Sequence, residues 1–388
     1  MSFFDQDEGN SSSSNIRPDE PEMRSVMMGS LAPPPMPMRM GAVPRMPKAT
    51  RVSASATTKA PQVVLSTTTT SWQPKPLGPV PDVYPLERSH VYVAGGRQQV
   101  ADRITSHLKS QSIAVTFSET SLEAETADNV RFAINLFAAE DGQIVVEVQR
   151  LAGCGFGFRQ ACRPVLNAAK GSKLPARSVR MARPIPASIR PTPQQESDVR
   201  DAVELNVDML LNLTHLDMHL LAMEGLTQLT RESSTAVHAA KCIFEPESSL
   251  LKKIVSLIES FKAEKAKNED DDLNVFYYEK MHRYALSILG NAVEALLKAD
   301  DTTTASPLAT DSLVQALVRE LAFAEERPHD ACRAAKCLTC FAKLAPELVF
   351  EKVELVEALA IAHKEGVCRH ANLESETREL MQRQVGFS

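Results

Sequence analysis

Residues 130–166 read VRFAINLFAAEDGQIVVEVQRLAGCGFGFRQACRPVL. Val130, Phe132, Ile134 and Leu136 alternate with Arg131, Ala133 and Asn135; Ile144, Val146 and Val148 alternate with Val145, Glu147 and Gln149. A period of two sends alternate side chains to opposite faces of a strand. The two runs are joined through Glu140-Asp141-Gly142, and Asp-Gly favours a hairpin because glycine takes positive φ at little cost. Beyond the second strand, Phe158, Cys162, Val165 and Leu166 share one face of a helix. Pro164 lies inside it and lacks an N–H, which predicts a kink or a start later than Phe158.

Upstream, Val100, Ile104 and Leu108 fall at i, i+4 and i+8 and predict a helix over Arg97–Ser110. Ile113, Val115 and Phe117 alternate in the same way, Leu122 and Ala124 more weakly, so three or four strands are expected in all. Residues 87–170 therefore predict a small α+β sandwich: helix, antiparallel meander, helix, with one sheet face covered.

Downstream, the stretch from Lys170 to Arg190 is basic and proline-rich, with Lys170, Lys173, Arg177, Arg180, Arg183 and Arg190 and no acid, and it defines a linker over residues 171–193. The prolines predict an extended, semi-rigid linker. Residues 194–388 carry helical periodicity throughout, in stretches expected over 194–212, 214–233, 249–265, 275–298, 310–325, 330–344, 351–364 and 373–384. The acidic run Glu269–Asp272 fits an exposed loop. Three segments, MHLLAMEGLTQLT from Met218, MHRYALSILGNAV from Met281 and ACRAAKCLTCFAK from Ala331, place small residues where helices touch and aliphatic ones around them. Residues 1–86 hold Ser11–Ser14, Pro33–Pro35 and Thr67–Thr70 without apolar periodicity, which predicts disorder. Met23–Pro81 lacks any acid but carries seven Lys or Arg, a basic Met-rich stretch suited to docking on an acidic surface or anionic lipid, or to plain solvation.

Charge follows these divisions. Residues 1–85 carry 8 Lys/Arg against 7 Asp/Glu, 86–190 carry 14 against 9, and 191–388 carry 21 against 33, so the net −6 divides into +1, +5 and −12. The acidic C-terminal half argues against nucleic acid as a partner. No apolar run reaches the roughly 18–20 residues that span a bilayer, and the acidic start MSFFDQDEGN lacks the positive charge of a targeting peptide. Seven scattered cysteines suit a reducing compartment. The expectation is a cytoplasmic protein, or a nuclear one.

The three helical segments resemble armadillo/HEAT-type repeats, though their starts stand about 63 and 50 residues apart, longer than the usual period; a four-helix bundle with additions competes. The run quoted first, with its DG turn and its aromatic and basic final helix, resembles the kinase-associated C-terminal domain that ends several AMP-activated-kinase-related kinases. No kinase motif accompanies it: there is no HRD, no DFG and no Gly-rich loop followed by a lysine strand. The resemblance implies autoregulatory contact or binding of anionic phospholipid head groups through basic residues. Arg131, Arg150, Arg159, Arg163 and Lys170 are the matching positions here, against ordinary surface charge. Lys173, Arg177, Arg180 and Arg183 extend this set as a basic tether.

Chemistry has few footholds. Gly153-Cys154-Gly155-Phe156-Gly157 lies between a strand and a helix, where glycines bring backbone N–H groups to phosphate; without Gly-Lys-Ser/Thr or a βαβ unit, a flexible turn is the plainer reading. Cys332, Cys337 and Cys340, near His329, Cys368 and His370, have zinc-like spacing, yet cysteines three apart on an Ala-rich helix also share a buried stripe. His107, His215, His219, His238 and His282 show no nucleophile–base–acid arrangement. The Ser and Thr runs of the tail are candidate phosphorylation sites. No catalytic residue, cofactor or metal is expected. The sequence predicts a non-catalytic scaffold or adaptor with a protein partner on the helical half and anionic membrane as a second contact; the alternative is a regulatory subunit of a signalling kinase system.

Overall fold

The computed structural model describes residues 72–80, 86–119, 121–139, 141–172, 193–245, 248–261 and 272–387. The predicted tail up to residue 71, Glu269–Asp271 of the acidic run, and the linker residues Lys173, Arg177, Arg180, Arg183 and Arg190 lie outside this set. Residues 65–388 form one compact unit.

Five antiparallel strands make the sheet: β1 (His90–Val93), β2 (Ala114–Phe117), β3 (Ser121–Glu125), β4 (Arg131–Ala138) and β5 (Ile144–Ala152), in the order β1-β5-β4-β3-β2. The alternation between residues 113 and 148 predicts the meander β2–β5. The further strand, β1, is four residues long and pairs His90–Val93 with Ile144–Glu147. The β4–β5 hairpin turns through Gly142 at φ +70°, as the Asp-Gly signal requires. Leu122, Phe132, Ile134, Leu136, Ile144, Val146 and Val148 form the covered face, with Val100, Ile104 and Leu108 of α1 (Arg97–Ser110) and Cys162 and Val165 of α2 (Gly155–Ala169).

Two details depart from expectation. Helix α2 starts at Gly155, ahead of Phe158, and runs through Pro164. The Cys154 side chain accepts from the Gly157 N–H and fixes that early start, while the proline removes one hydrogen bond from a helix held by its apolar face. Residues 72–80, expected to be disordered, pack on the sheet. Trp72 is fully buried in the same core and donates its indole N–H to the Ser118 carbonyl at 3.2 Å. The Gly78 carbonyl accepts from the Ala138 N–H at 2.8 Å. One indole buries more apolar area than most side chains, enough to anchor a stretch whose average composition is polar.

The helical part comprises α3 (Pro193–Leu211), α4 (Leu216–Arg231), α5 (Ala236–Ile243), α6 (Ser249–Glu259), α7 (Asp272–Lys298), the single turn α8 (Thr302–Ala305), α9 (Asp311–Ala322), α10 (Pro328–Leu344), the short α11 (Pro346–Phe350), α12 (Val353–Arg369) and α13 (Ala371–Phe387). A 3-10 turn, Ser306–Leu308, follows α8. All eight predicted helices are present with shifted ends; α5 and the short α8 and α11 are additional. Helix α4 packs on α7, α7 on α10 and α10 on α13, while α6 meets α9 and α9 meets α12. Small residues make the closest crossings. A Cβ on Gly290 would stand 3.1 Å from Cys337 Sγ, and Ala285, Ala292, Ala334 and Ala335 are fully buried around them.

Candidate functional site

The basic residues singled out from sequence do not converge. Arg131 on β4 is ion-paired with Glu123 at 3.4 Å, both more than half exposed. Arg150 on β5 donates to the Gly153 carbonyl at 3.2 Å. Arg159 and Arg163 point from the exposed face of α2. Lys170 caps the far end of that helix, about 22 Å from its start at 1.5 Å per residue. Arg150 and Arg159 thus flank the start of α2, where Leu151 and Phe156 are exposed, Phe156 at 74%.

The glycines of that turn have a packing reason. Gly153 has φ +91°, and a Cβ there would lie 2.8 Å from the Asn129 carbonyl oxygen and the Val130 Cα. A Cβ on Gly157 would lie 2.9 Å from Val130 Cγ2. They let α2 start tightly against the residues that lead into β4.

The thiols are packed. Cys337 and Cys340 are buried on α10 and Cys332 is half-buried. Burial pushes the Cys332 thiol up to about 12 and that of Cys340 to about 11, and raises that of Cys337 further. Thiols so far from ionisation are poor nucleophiles. Among the described residues no group of three or more His, Cys, Asp or Glu is arranged to hold a metal ion.

Polar side chains converge instead where the sheet meets the helices. Arg283 of α7 donates through Nε to Asp330 of α10 at 3.0 Å, and through Nη1 to Glu125 and Asn129 at the two ends of the β3–β4 turn. Arg333 of α10 donates to the Ala127 carbonyl of that turn at 3.0 Å and lies 3.7 Å from Asp330. Arg369 of α12 donates to Glu365 at 2.7 Å and the Glu325 carbonyl at 2.6 Å, and reaches the Val115 carbonyl of β2 at 3.5 Å. The Asn372 N–H donates to Ser112 Oγ at 2.8 Å, and Lys109 reaches the Val367 carbonyl.

Burial opposes ionisation of Asp330, but Arg283, His282, Arg333 and Arg327 outweigh it and hold its carboxyl below the ordinary value. For Arg283, burial again opposes the charge, and Asp330 and Glu125 overcome it. A buried ion pair of this kind is worth little against an apolar replacement, but removal of one partner strands the other charge.

Two buried histidines run through the same seam. The Leu373 N–H donates to His370 Nδ1 at 3.1 Å, His370 Nε2 lies 3.0 Å from His329 Nδ1, and His329 Nε2 lies 2.9 Å from the Glu125 carbonyl. These partners assign the tautomers. With Nδ1 of His370 accepting, its Nε2–H donates to His329 Nδ1, and the His329 Nε2–H donates to Glu125. Both rings are neutral and all four ring nitrogens are used, so the chain ties α13 and α10 to β3 and leaves no nitrogen for proton transfer. Beside it, His282 lies 3.4 Å from Glu320, which also pairs with Arg327 at 3.1 Å. Phe261 stacks on His282 at 4.1 Å and the Arg327 guanidinium covers Phe261 at 4.8 Å.

In the sequence His329 and His370 stand near the α10 cysteines and read as companions of that cluster; their actual partners, 41 and 204 residues apart, leave no local spacing. The only available signal was charge at intended core positions, Arg283 and Asp330 among alanines and leucines. No family model, no curated protein and no solved structure matches this chain.

Proposed function

We propose that this chain is a non-catalytic adaptor that binds a protein partner through its helical half, with the helices stacked as an armadillo/HEAT-type solenoid. The succession α4, α7, α10, α13 on one side and α6, α9, α12 on the other supports the stacked reading. One observation carries the functional reading: α12 buries one face and leaves an apolar row on the opposite one. Val353, Val356, Ala360 and Val367 share that outward face with Lys364, and the three valines are 87%, 59% and 42% exposed. Contiguous exposed apolar surface marks interaction sites more often than isolated residues do.

The start of α2 offers a second contact. Phe156 and Leu151 beside Arg150 and Arg159 suit an anionic lipid surface, where apolar insertion and head-group attraction act together. The order α1, β2–β5, α2 also favours a second reading, a regulatory subunit that contacts a kinase domain in another chain. All seven cysteines are free thiols, in keeping with a cytoplasmic or nuclear location.

The test is affinity purification of the full chain beside a V353E/V356E/V367E variant. The adaptor reading expects specific partners that the variant loses while its melting temperature is unchanged. A soluble bait with no partner above background, or a variant that keeps them all, would sink it.

A further inference from the structure

A cleft of about 400 Å³ opens between α3, the end of α5 and the start of α6. Its floor is apolar, from Val203, Val207 and Leu250, with Val203 and Leu250 buried. Arg200, Glu204 and Asp208 follow at four-residue spacing along one face of α3 and form one wall. Glu245 and Ser248 also line it, and Ser248 caps α6 by accepting from the Leu251 N–H at 3.3 Å.

The charges in this cleft do not balance. Arg200 is matched by Glu245 at 2.9 Å. Arg200 also attracts Glu204, four residues on, and Asp208 accepts from the Asn212 side-chain amide, which is neutral, so one cation faces the three carboxylates Glu204, Asp208 and Glu245. Two carboxylates therefore stand over an aliphatic floor in a half of the chain whose net charge is −12, from 21 Lys/Arg against 33 Asp/Glu. Exposed carboxylates alone would mean little. Over an apolar trough they match one kind of side chain, with an aliphatic stem and a cationic head.

We propose that this cleft receives an arginine or lysine side chain from an extended basic segment of a partner protein. The methylene stem lies along Val203, Val207 and Leu250, and the head group meets Glu204 and Asp208. Arginine suits the site best, because its planar fork engages carboxylates through two parallel N–H bonds. An anionic guest would face the same two carboxylates, and a purely apolar one would desolvate them without a partner. This rests on the reading of the helical half as partner-binding and adds to it the charge of the partner.

Fluorescence anisotropy on the full chain tests it, with a labelled synthetic peptide that alternates arginine with alanine and leucine. A second peptide carries citrulline, the neutral isostere, at each arginine. The proposal expects the arginine peptide to bind about tenfold more tightly than the citrulline one, and E204Q/D208N to remove most of that preference. Both residues are exposed, so the variant keeps its fold. An E354Q/E357Q control on α12 removes the same net charge elsewhere and is expected to leave binding unchanged. Equal binding of both peptides, or equal weakening by the two charge variants, would overturn the proposal. Tighter peptide binding in R177Q/R180Q/R183Q would overturn the choice of occupant and assign the cleft to this chain's own basic segment. The V353E/V356E/V367E purification reads α12 alone, so a failure here leaves the adaptor reading standing.

Discussion

At the scale of single residues, His329 and His370 show how a polar group survives in a core. Each is nearly inaccessible, yet the relay from the Leu373 N–H to the Glu125 carbonyl satisfies both rings only when they are neutral. Burial, with Arg283 and Arg333 facing it, lowers the His329 pKa from 6.5 to about 4. Burial, with His329, Arg333 and Arg369 nearby, takes His370 from 6.5 to about 3. The unfolded chain therefore takes up protons near pH 6.5 that the folded chain refuses, and stability falls as pH drops from there towards about 4. Above pH 6.5 the pair contributes no pH dependence. Urea midpoints measured across this window should decline steadily, with a shallower slope in His370→Asn; an unchanged slope would contradict the neutral relay. None of this was legible in sequence. His329 and Asp330 follow Pro328 in what reads as an ordinary acidic first turn, and their partners are fixed only by tertiary packing.

At the scale of elements, the crossing of α12 and α13 depends on one absent side chain. A Cβ on Gly366 would stand 2.4 Å from the Glu374 N and 3.0 Å from the Leu373 carbonyl carbon, both backbone atoms that cannot rotate away. Gly225 on α4 is also crowded, but the neighbour is the Asn206 side-chain oxygen at 2.5 Å, the far end of a flexible group. Gly366→Ala should destabilise the chain by about 1–3 kcal/mol, as overpacking does, whereas Gly225→Ala should be near neutral because helix propensity offsets the rearrangement. Chemical denaturation of both variants checks this, and similar losses would mean that α13 can move aside. Elements with a long apolar stripe were the legible ones: α1 matches its predicted bounds, and the eight predicted helices shift only at their ends. Short elements were not. Helix α5 has eight residues and β1 has four, too few to complete a periodic pattern. The crossings themselves were half legible, since alanine and glycine mark where helices approach but not which helix arrives.

At the scale of the whole molecule, the question is whether sheet and helices behave as one body. The seam joins β2, β3 and the β3–β4 turn to α7, α10, α12 and α13, and Asp330 sits at its centre between Arg283 and Arg333. Asp330→Asn keeps the shape and removes the charge. Arg333 would then lose its ion-pair partner and Arg283 one of its two carboxylates, keeping Glu125. Removing one partner of a fully buried pair costs about 3–5 kcal/mol, and these half-buried groups should lose less. That loss falls on the junction, so it should appear as lost coupling as well as lost stability. The chain holds a convenient reporter, because its single tryptophan, Trp72, is buried in the sheet core. Its fluorescence follows the sheet, while far-ultraviolet circular dichroism is dominated by the helices. In the wild-type chain the two signals should melt together, as a cooperative unit requires. In Asp330→Asn the tryptophan transition should separate from the helical one. If both move down together by the same amount, Asp330 adds stability without setting the coupling, and the sheet is held on the helices by the remaining contacts, those of Arg283 with Glu125 and Asn129, Arg333 with Ala127, His329 with Glu125, and Lys109, Ser112 and Arg369.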